Sequence, residues 1–284
     1  MTRRLLIFII GVLASLHVSG QVLYTAEDSS FVVKALAESR QLPRTTNFPL
    51  HFARLFLGRP YVAHTLEGND SERLVVNTRQ LDCTTLVENV TALTLCVYRH
   101  LYTWRDYLNA LVQMRYRDGR LDGYTSRLHY FSDWISDNSR KELVVEAQSP
   151  VPPFTAVQTL DINYMSRHPE AYSALKAHPE MIPVIAAQED SLTGHQYRFI
   201  PKAKIDDSRE MRSAVRDGDI IAITCSKPGL DIAHLGFAVW RRDGLHLLNA
   251  SQLHKRVVEE PMTLRQYLQK HPSHTGIRII RIQK

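Results

Sequence analysis

The most constraining feature of this sequence is a change of hydrophobic period near residue 196. Before it, apolar residues recur mostly at helical spacing. Residues 29–41 predict an amphipathic helix with Ser29 or Ser30 as its cap. Residues 47–57 predict a second helix, stopped by Gly58 and Pro60. From Cys83 to about His100, the apolar residues Leu86, Val87, Val90, Leu93, Leu95 and Val97 predict a buried helix that starts just after a polar loop. Residues 104–116, 125–138 and 168–190 predict further helix, and 73–78 a short strand. Pro150, Pro152 and Pro153 mark 148–158 as a linker or crossover. After 196 the signals are short strands at 196–200, 219–224, 232–240, 245–250 and 276–282, interrupted by a helix at 262–270. Asp243-Gly244 predicts a tight hairpin between two of them. Helices followed by a meandering antiparallel sheet make an α+β fold.

The chain has 284 residues, 44% hydrophobic and 23% charged, which excludes disordered, collagen-like and coiled-coil classes. The net charge of +6 falls to +4 once Arg3 and Arg4 leave with residues 1–20, which is mild; it fits an anionic polymer or membrane as neighbour but is no nucleic-acid footprint. Residues 1–20 read as a signal peptide: Arg3 and Arg4, then an apolar run over 5–16, then Val18-Ser19-Gly20. The expectation is an exported, periplasmic chain, mature from Gln21, with no stable membrane insertion after cleavage. Residues 21–284 then form one domain, with a helical insertion or crossover around 139–195. Three cysteines cannot build a disulfide framework, so an exported chain keeps a free thiol that needs a reason.

Cys83 offers that reason. A thiol at a helix N-terminus is favoured as thiolate by the positive end of the macrodipole, and a histidine and an orienting polar group would complete a nucleophilic site. His234 opens an apolar strand, with Gly236 on the same side leaving space for substrate or another backbone. Hairpin pairing about Asp243-Gly244 brings residues near 249, Asn249 among them, beside residues near 238. Each residue also has a plainer role: Cys83 as a small buried hydrophobe, His234 as a core histidine, Asn249 as a strand-end cap.

Together, Gly58-Arg59-Pro60-Tyr61, Asp82-Cys83-Thr84-Thr85-Leu86-Val87, His234-Leu235-Gly236-Phe237 and Leu248-Asn249-Ala250-Ser251 resemble the NlpC-type, papain-like cell-wall hydrolases. Tyr61-Val62-Ala63-His64-Thr65-Leu66-Glu67 and Ser126-Arg127-Leu128-His129-Tyr130-Phe131-Ser132-Asp133-Trp134 resemble an exported branch of N-acetylmuramoyl-L-alanine amidases within it. The likeness runs over roughly residues 50–282. It implies a papain-like fold with the nucleophile helix packed on an antiparallel sheet. It also implies cleavage of the amide between 1,6-anhydro-N-acetylmuramic acid and L-Ala, with anhydro-muropeptides as the peptidoglycan-derived partner. Cys83 would be the nucleophile, His234 the general base and acid, and Asn249, in place of the superfamily's frequent His, the orienting group. The backbone N–H of Cys83 would donate to the oxyanion. Tyr61, Asp82, Arg127, His129, Tyr130 and Ser251 would line substrate or oxyanion. Asp82 is also a natural cap, and Trp134 a core aromatic. On a helix, Arg127, Tyr130 and Trp134 would share a face.

The alternatives are a γ-D-glutamyl-diaminopimelate endopeptidase and a non-catalytic peptidoglycan-binding module. No cofactor and no metal are expected: there is no His-Glu-x-x-His and no Cys-x-x-Cys, and His271 and His274 flank Pro272 in a C-terminal loop. Cys96 and Cys225 are expected to be buried and inert. A monomer is expected.

Overall fold

The computed structural model describes residues 22–284; the signal-peptide reading of 1–20 lies outside the described residues. The helical half begins with α1 (Ala26–Ser39), α2 (Phe48–Leu55), α3 (Cys83–Tyr98), α4 (Trp104–Arg115) and α5 (Phe131–Arg140). A parallel two-stranded ladder, β1 (Val22–Leu23) with β2 (Leu74–Val75), ties the start of the described chain to the segment before α3. Strands β3 (Val144–Glu146) and β4 (Ala156–Thr159) follow, then the short helices α6 (Tyr164–Arg167) and α7 (Ser173–Ala177) and the longer α8 (Ile182–Leu192). The remainder is β5 (Gln196–Pro201), α9 (Arg209–Ala214), β6 (Ile220–Cys225), β7 (Ile232–Arg241), β8 (Gly244–Ser251), β9 (Arg256–Glu259), α10 (Leu264–Gln269) and β10 (His274–Ile282).

The main sheet runs β4-β5-β10-β6-β7-β8-β9, with β3 also on β10, and all its pairs are antiparallel. The α+β class and the antiparallel sheet are as the period change predicts. Strands β3, β4 and β9 have three or four residues each, too few to leave a period in the sequence.

Helix α3 is central. Thirteen of its sixteen residues are buried, so it lies with its face against the sheet and its neighbours on other sides. Leu86, Val87, Val90 and Leu93 share one core with Phe52 of α2 and Phe56 just after it, Tyr107 and Leu111 of α4, and Phe237 and Leu248 of the sheet. A second core fills the other face of the sheet between Ile221, Ile223, Ile279 and α10. A third, smaller core joins Tyr124 and Tyr130 to Leu160, Met165, Leu175, Ile185 and Leu192. Thus the 139–195 segment packs on the 124–130 region through its own apolar cluster.

Several boundaries move. The first helix begins at Ala26, because Thr25 and Asp28 form a reciprocal capping box that outcompetes Ser29 and Ser30. The predicted 125–138 helix starts only at Phe131, after a 3₁₀ turn at Tyr124–Ser126. The predicted 168–190 helix is cut into pieces at Pro169 and Pro179, each of which opens a 3₁₀ turn. Among the described residues no helix is long and apolar enough to cross a membrane.

Candidate active site

The site is built where the N-terminus of α3 meets β7. Asp82 caps α3: its Oδ1 accepts from the Thr85 N–H at 2.8 Å and the Thr85 hydroxyl at 2.8 Å, while the Thr85 Oγ1 accepts from the Asp82 N–H at 2.9 Å. This fixes Cys83 as the first helical residue. Leu235, the residue after His234, and Thr84 lie by the Cys83 sulfur, and their donors favour its ionised form. The nucleophile candidate therefore sits against the strand that carries the base candidate. Cys83 is half-buried, and desolvation together with the Asp82 charge pushes its thiol up to about 12. This departs from the thiolate that the helix position alone predicts: a desolvated anion beside a carboxylate loses more than the macrodipole returns.

His234 Nε2 donates to Asn249 Oδ1 at 3.0 Å, and the Asn249 Nδ2 donates to the Leu247 carbonyl at 3.4 Å. The amide orientation thus makes Oδ1 the acceptor and places the proton of the neutral imidazole on Nε2. Nδ1 is left as the basic nitrogen. Burial holds His234 below the ordinary imidazole range, against the Asn249 hydrogen bond and with His271 adding to the depression. The hairpin register pairs Ala238 with Leu247 rather than with residue 249, two residues away from the simplest sequence expectation. Asn249 nonetheless reaches His234 from β8, fully buried. Gly236 is required by a backbone: a Cβ there would lie 2.6 Å from the Leu248 carbonyl oxygen and 2.7 Å from Leu247 Cδ1.

Tyr61 joins this group. It bridges to Leu81 and its N–H donates to the Lys255 carbonyl at 2.9 Å. Burial raises its phenol, and the nearby Cys83 and Asp82 raise it further. Ser251 does not present a free hydroxyl: it is buried, and its Oγ accepts from the His254 N–H at 3.2 Å in the turn after β8.

The remaining predicted residues gather elsewhere. Arg127 is outside α5, 6% exposed, and pairs with Glu67 at 2.9 Å and Glu72 at 3.4 Å, over the Tyr124 ring. His129 donates from Nε2 to the Tyr124 carbonyl at 2.9 Å, and burial with Arg127 beside it holds its ring down to about 3. Tyr130 donates to Glu189 at 2.6 Å and accepts from the Met165 N–H at 2.9 Å, which locks the 139–195 segment to the helical half. The predicted shared face of Arg127, Tyr130 and Trp134 is absent, because Tyr130 is the residue that precedes α5. Trp134 is buried against Phe131, as a core aromatic. Arg127 does border a cavity of about 480 Å³, whose other wall includes Ser173, Ala177 and Met181. Among the described residues no cluster of three or more His, Cys, Asp or Glu is arranged to hold a metal ion. Cys96 and Cys225 are buried.

Residues 51–277 match the AmiA-like family, described as N-acetylmuramoyl-L-alanine amidase-like. The chain belongs to the AmiA-like family. The NlpC-type, papain-like assignment from the sequence is corrected by this match: short motifs around a cysteine, a histidine and a glycine describe a local constellation, whereas the family match extends over most of the chain. Solved structures agree with the AmiA-like assignment. An N-acetylmuramoyl-L-alanine amidase from Bacteroides uniformis is 40% identical, with a TM-score of 0.78 over 84% of this chain and 98% of its own. A Bacteroides fragilis protein named as a candidate xylanase is 41% identical, with a TM-score of 0.77 over 82% of this chain and 100% of its own. A Legionella pneumophila protein of family DUF1460 is 20% identical, with a TM-score of 0.69 over 91% and 95%, and shares the fold. The comparison with curated proteins finds no match.

The sequence reading left His271 and His274 as loop histidines and did not single out Tyr267, which packs on His234 and in turn carries His271 and His274. A signal existed: Tyr267 lies in the last turn of α10 and His271 four residues on, just past its end.

Proposed function

We propose that this AmiA-like chain is a cysteine-dependent N-acetylmuramoyl-L-alanine amidase of the periplasm that acts on 1,6-anhydro-muropeptides. The observation that carries the reading is the junction itself: Cys83 opens a capped helix beside Leu235, the residue after His234, and His234 Nε2 is held by Asn249. The Bacteroides uniformis amidase, at 40% identity over almost its whole length, supports the substrate class.

At rest both reacting groups are neutral. His234 Nδ1 takes the thiol proton as the Cys83 sulfur attacks the lactyl carbonyl, so thiolate forms only as the carbon–sulfur bond forms. The N–H groups of the first turn of α3 lack intrahelical acceptors, and that of Cys83 receives the oxyanion. Collapse breaks the C–N bond, and the His234 imidazolium protonates the departing L-Ala amine. Water, deprotonated by the same imidazole, then hydrolyses the thioester to the lactyl carboxylate and restores the thiol. Asn249 keeps the ring in the useful tautomer throughout. Tyr61 offers a hydroxyl beside the sulfur.

Glycosidase chemistry, which the name of the Bacteroides fragilis neighbour raises, needs two carboxylates facing one bond. Around Cys83 the groups are a thiol, an imidazole, an amide and phenols; of the carboxylates, Asp82 is spent on the cap and Glu260 on His254.

The test is mass spectrometry of products from anhydro-disaccharide-tetrapeptide, with wild type and Cys83→Ala side by side. Free disaccharide plus intact tetrapeptide, lost in the variant, is expected. Cleavage inside the peptide would select the endopeptidase, and full activity of Cys83→Ala would sink the thiol mechanism.

A further inference from the structure

The loop before β2, the 3₁₀ turn before α5 and the short helix α7 enclose a cavity of about 480 Å³. That volume is in the range of small-molecule sites. None of Cys83, His234 and Asn249 lines it. Its walls are anchored. Tyr124 and Leu175 share the third core, and Gln188 of α8 donates to the Thr125 carbonyl at 2.8 Å. The Tyr124 ring is held by the Arg127 guanidinium, 4.9 Å from its centroid, and by the His129 ring at 4.4 Å.

Two polar groups of this wall lack a partner. Tyr124 and Arg127 are 5% and 6% exposed. The Tyr124 hydroxyl and the Arg127 Nε are buried, and neither makes a hydrogen bond among the described residues. Glu72 Oε1 lies 3.4 Å from that Nε, but it accepts from the Tyr116 hydroxyl at 2.9 Å. Both orphan groups can donate. Buried donors in folded proteins are nearly always satisfied, so this pair calls for an acceptor that the chain does not supply.

The surrounding charge restricts that acceptor. Glu67, Asp70 and Glu72 line the same cavity as Arg127, and His178, which also lines it, pairs with Glu180 at 3.1 Å. Three carboxyl groups to one guanidinium disfavour a plain anion. Glu72 is nearly buried at its side chain, whereas Glu67 is 27% exposed and Asp70 is exposed. A ligand thus meets the buried donors with an acceptor and the outer carboxylates with a cation. Ala177 and Met181 add an apolar wall that suits an aliphatic chain.

We infer that this cavity binds an α-amino acid group. Its carboxylate accepts from the Arg127 Nε and the Tyr124 hydroxyl, its ammonium faces Glu67 and Asp70, and its carbon chain lies on Ala177 and Met181. Two sources carry this chemistry. One is a free amino acid. The other is the outer end of a diamino acid such as diaminopimelate, whose second ammonium and carboxylate stay free within a stem peptide. The site stands apart from the amidase reading; only the second source rests on it.

The experiment is isothermal titration calorimetry of the whole chain at pH 7. The probes are meso-diaminopimelate, pimelate, which lacks both ammonium groups, and cadaverine, which lacks both carboxylates. Diaminopimelate is expected to bind roughly tenfold or more tighter than either, since each loses a charged hydrogen-bonding group. Tyr124→Phe removes only the orphan hydroxyl. Affinity should fall about tenfold, while the urea midpoint should not fall, because no bond within the protein is lost. Glu67→Gln, which removes the outer charge, should weaken binding several-fold. The inference is overturned if diaminopimelate does not bind, if pimelate or cadaverine binds as well, or if either folded variant binds like wild type. Norleucine and the tripeptide L-Ala-γ-D-Glu-diaminopimelate separate the sources. Tighter binding of the tripeptide selects the stem peptide; norleucine binding as tightly or more tightly selects the free amino acid. None of these probes contains the muramoyl amide. Binding by a protein that cuts no muropeptide would therefore keep the site and remove the amidase reading, and cleavage without binding would do the reverse.

Discussion

His234 on β7 and Asn249 on β8 are joined by a 3.0 Å hydrogen bond between Nε2 and Oδ1, across the hairpin that turns at residues 242–243. The amide is fully buried and the imidazole keeps some exposed surface. The bond therefore ties a partly exposed ring to a buried side chain.

Asn249→Ala removes that anchor without touching the thiol. The expected result is a fall of about 10²-fold in kcat, with KM little changed, because a mis-set tautomer affects proton transfer rather than binding. Steady-state kinetics on an anhydro-muropeptide measure it. An unaltered kcat would remove Asn249 from the reaction.

The pH dependence follows from the resting charges. His234 must be neutral to act as base, and burial holds it below the ordinary imidazole value of 6.5, so the acid limb of kcat/KM should lie below that pH. The Cys83 thiol, pushed up to about 12 by burial and by Asp82, stays protonated at pH 7. Iodoacetamide should therefore alkylate it more slowly than it alkylates glutathione. An acid limb above pH 7, or faster alkylation than glutathione, would contradict a neutral resting pair.

Tyr130→Phe tests whether that hydroxyl serves the fold or the substrate. Its loss leaves Glu189, which also accepts from the Met165 and Ser166 N–H groups, short of one donor in a buried site. A cost of about 1–3 kcal/mol is expected in urea denaturation. KM should not change. A raised KM at unaltered stability would return Tyr130 to the substrate groove.

Glu88→Ala tests the buried frame behind Cys83. Glu88 on α3 and Arg115 on α4 are both buried and meet at 2.7 Å, while Arg115 also donates to the Val75 carbonyl. Removing the carboxylate strands a guanidinium in the core, at about 3–5 kcal/mol. Chemical denaturation gives the value. A loss under 1 kcal/mol would mean that the pair contributes little.

Much of the site was legible locally. The polar loop before Cys83, the apolar spacing after it and the hairpin signal at Asp243-Gly244 each depend on nearby residues, and each reappears in α3, β7 and β8. What failed were judgements about faces. Arg127, His129 and Tyr130 lie on a turn rather than a helix, and a turn has no period to read. Their partners Glu67, Glu72 and Glu189 are remote in sequence. The His271–His274 pair looked like loop histidines because nothing local says that Tyr267, on which both pack, lies against His234.

By itself, then, the sequence determined the α+β class, the start of the Cys83 helix and the hairpin that carries His234 and Asn249, since hydrophobic period, capping and turn chemistry are properties of short segments. Only the tertiary structure decided which of those residues meet. It set Asn249 on His234, and Leu235 and the Asp82 carboxylate beside the Cys83 thiol, so that desolvation and a like charge raise that thiol where the helix position alone favoured an anion. Charge states depend on desolvation and on distant partners, and both come into being only when the helical half closes on the sheet.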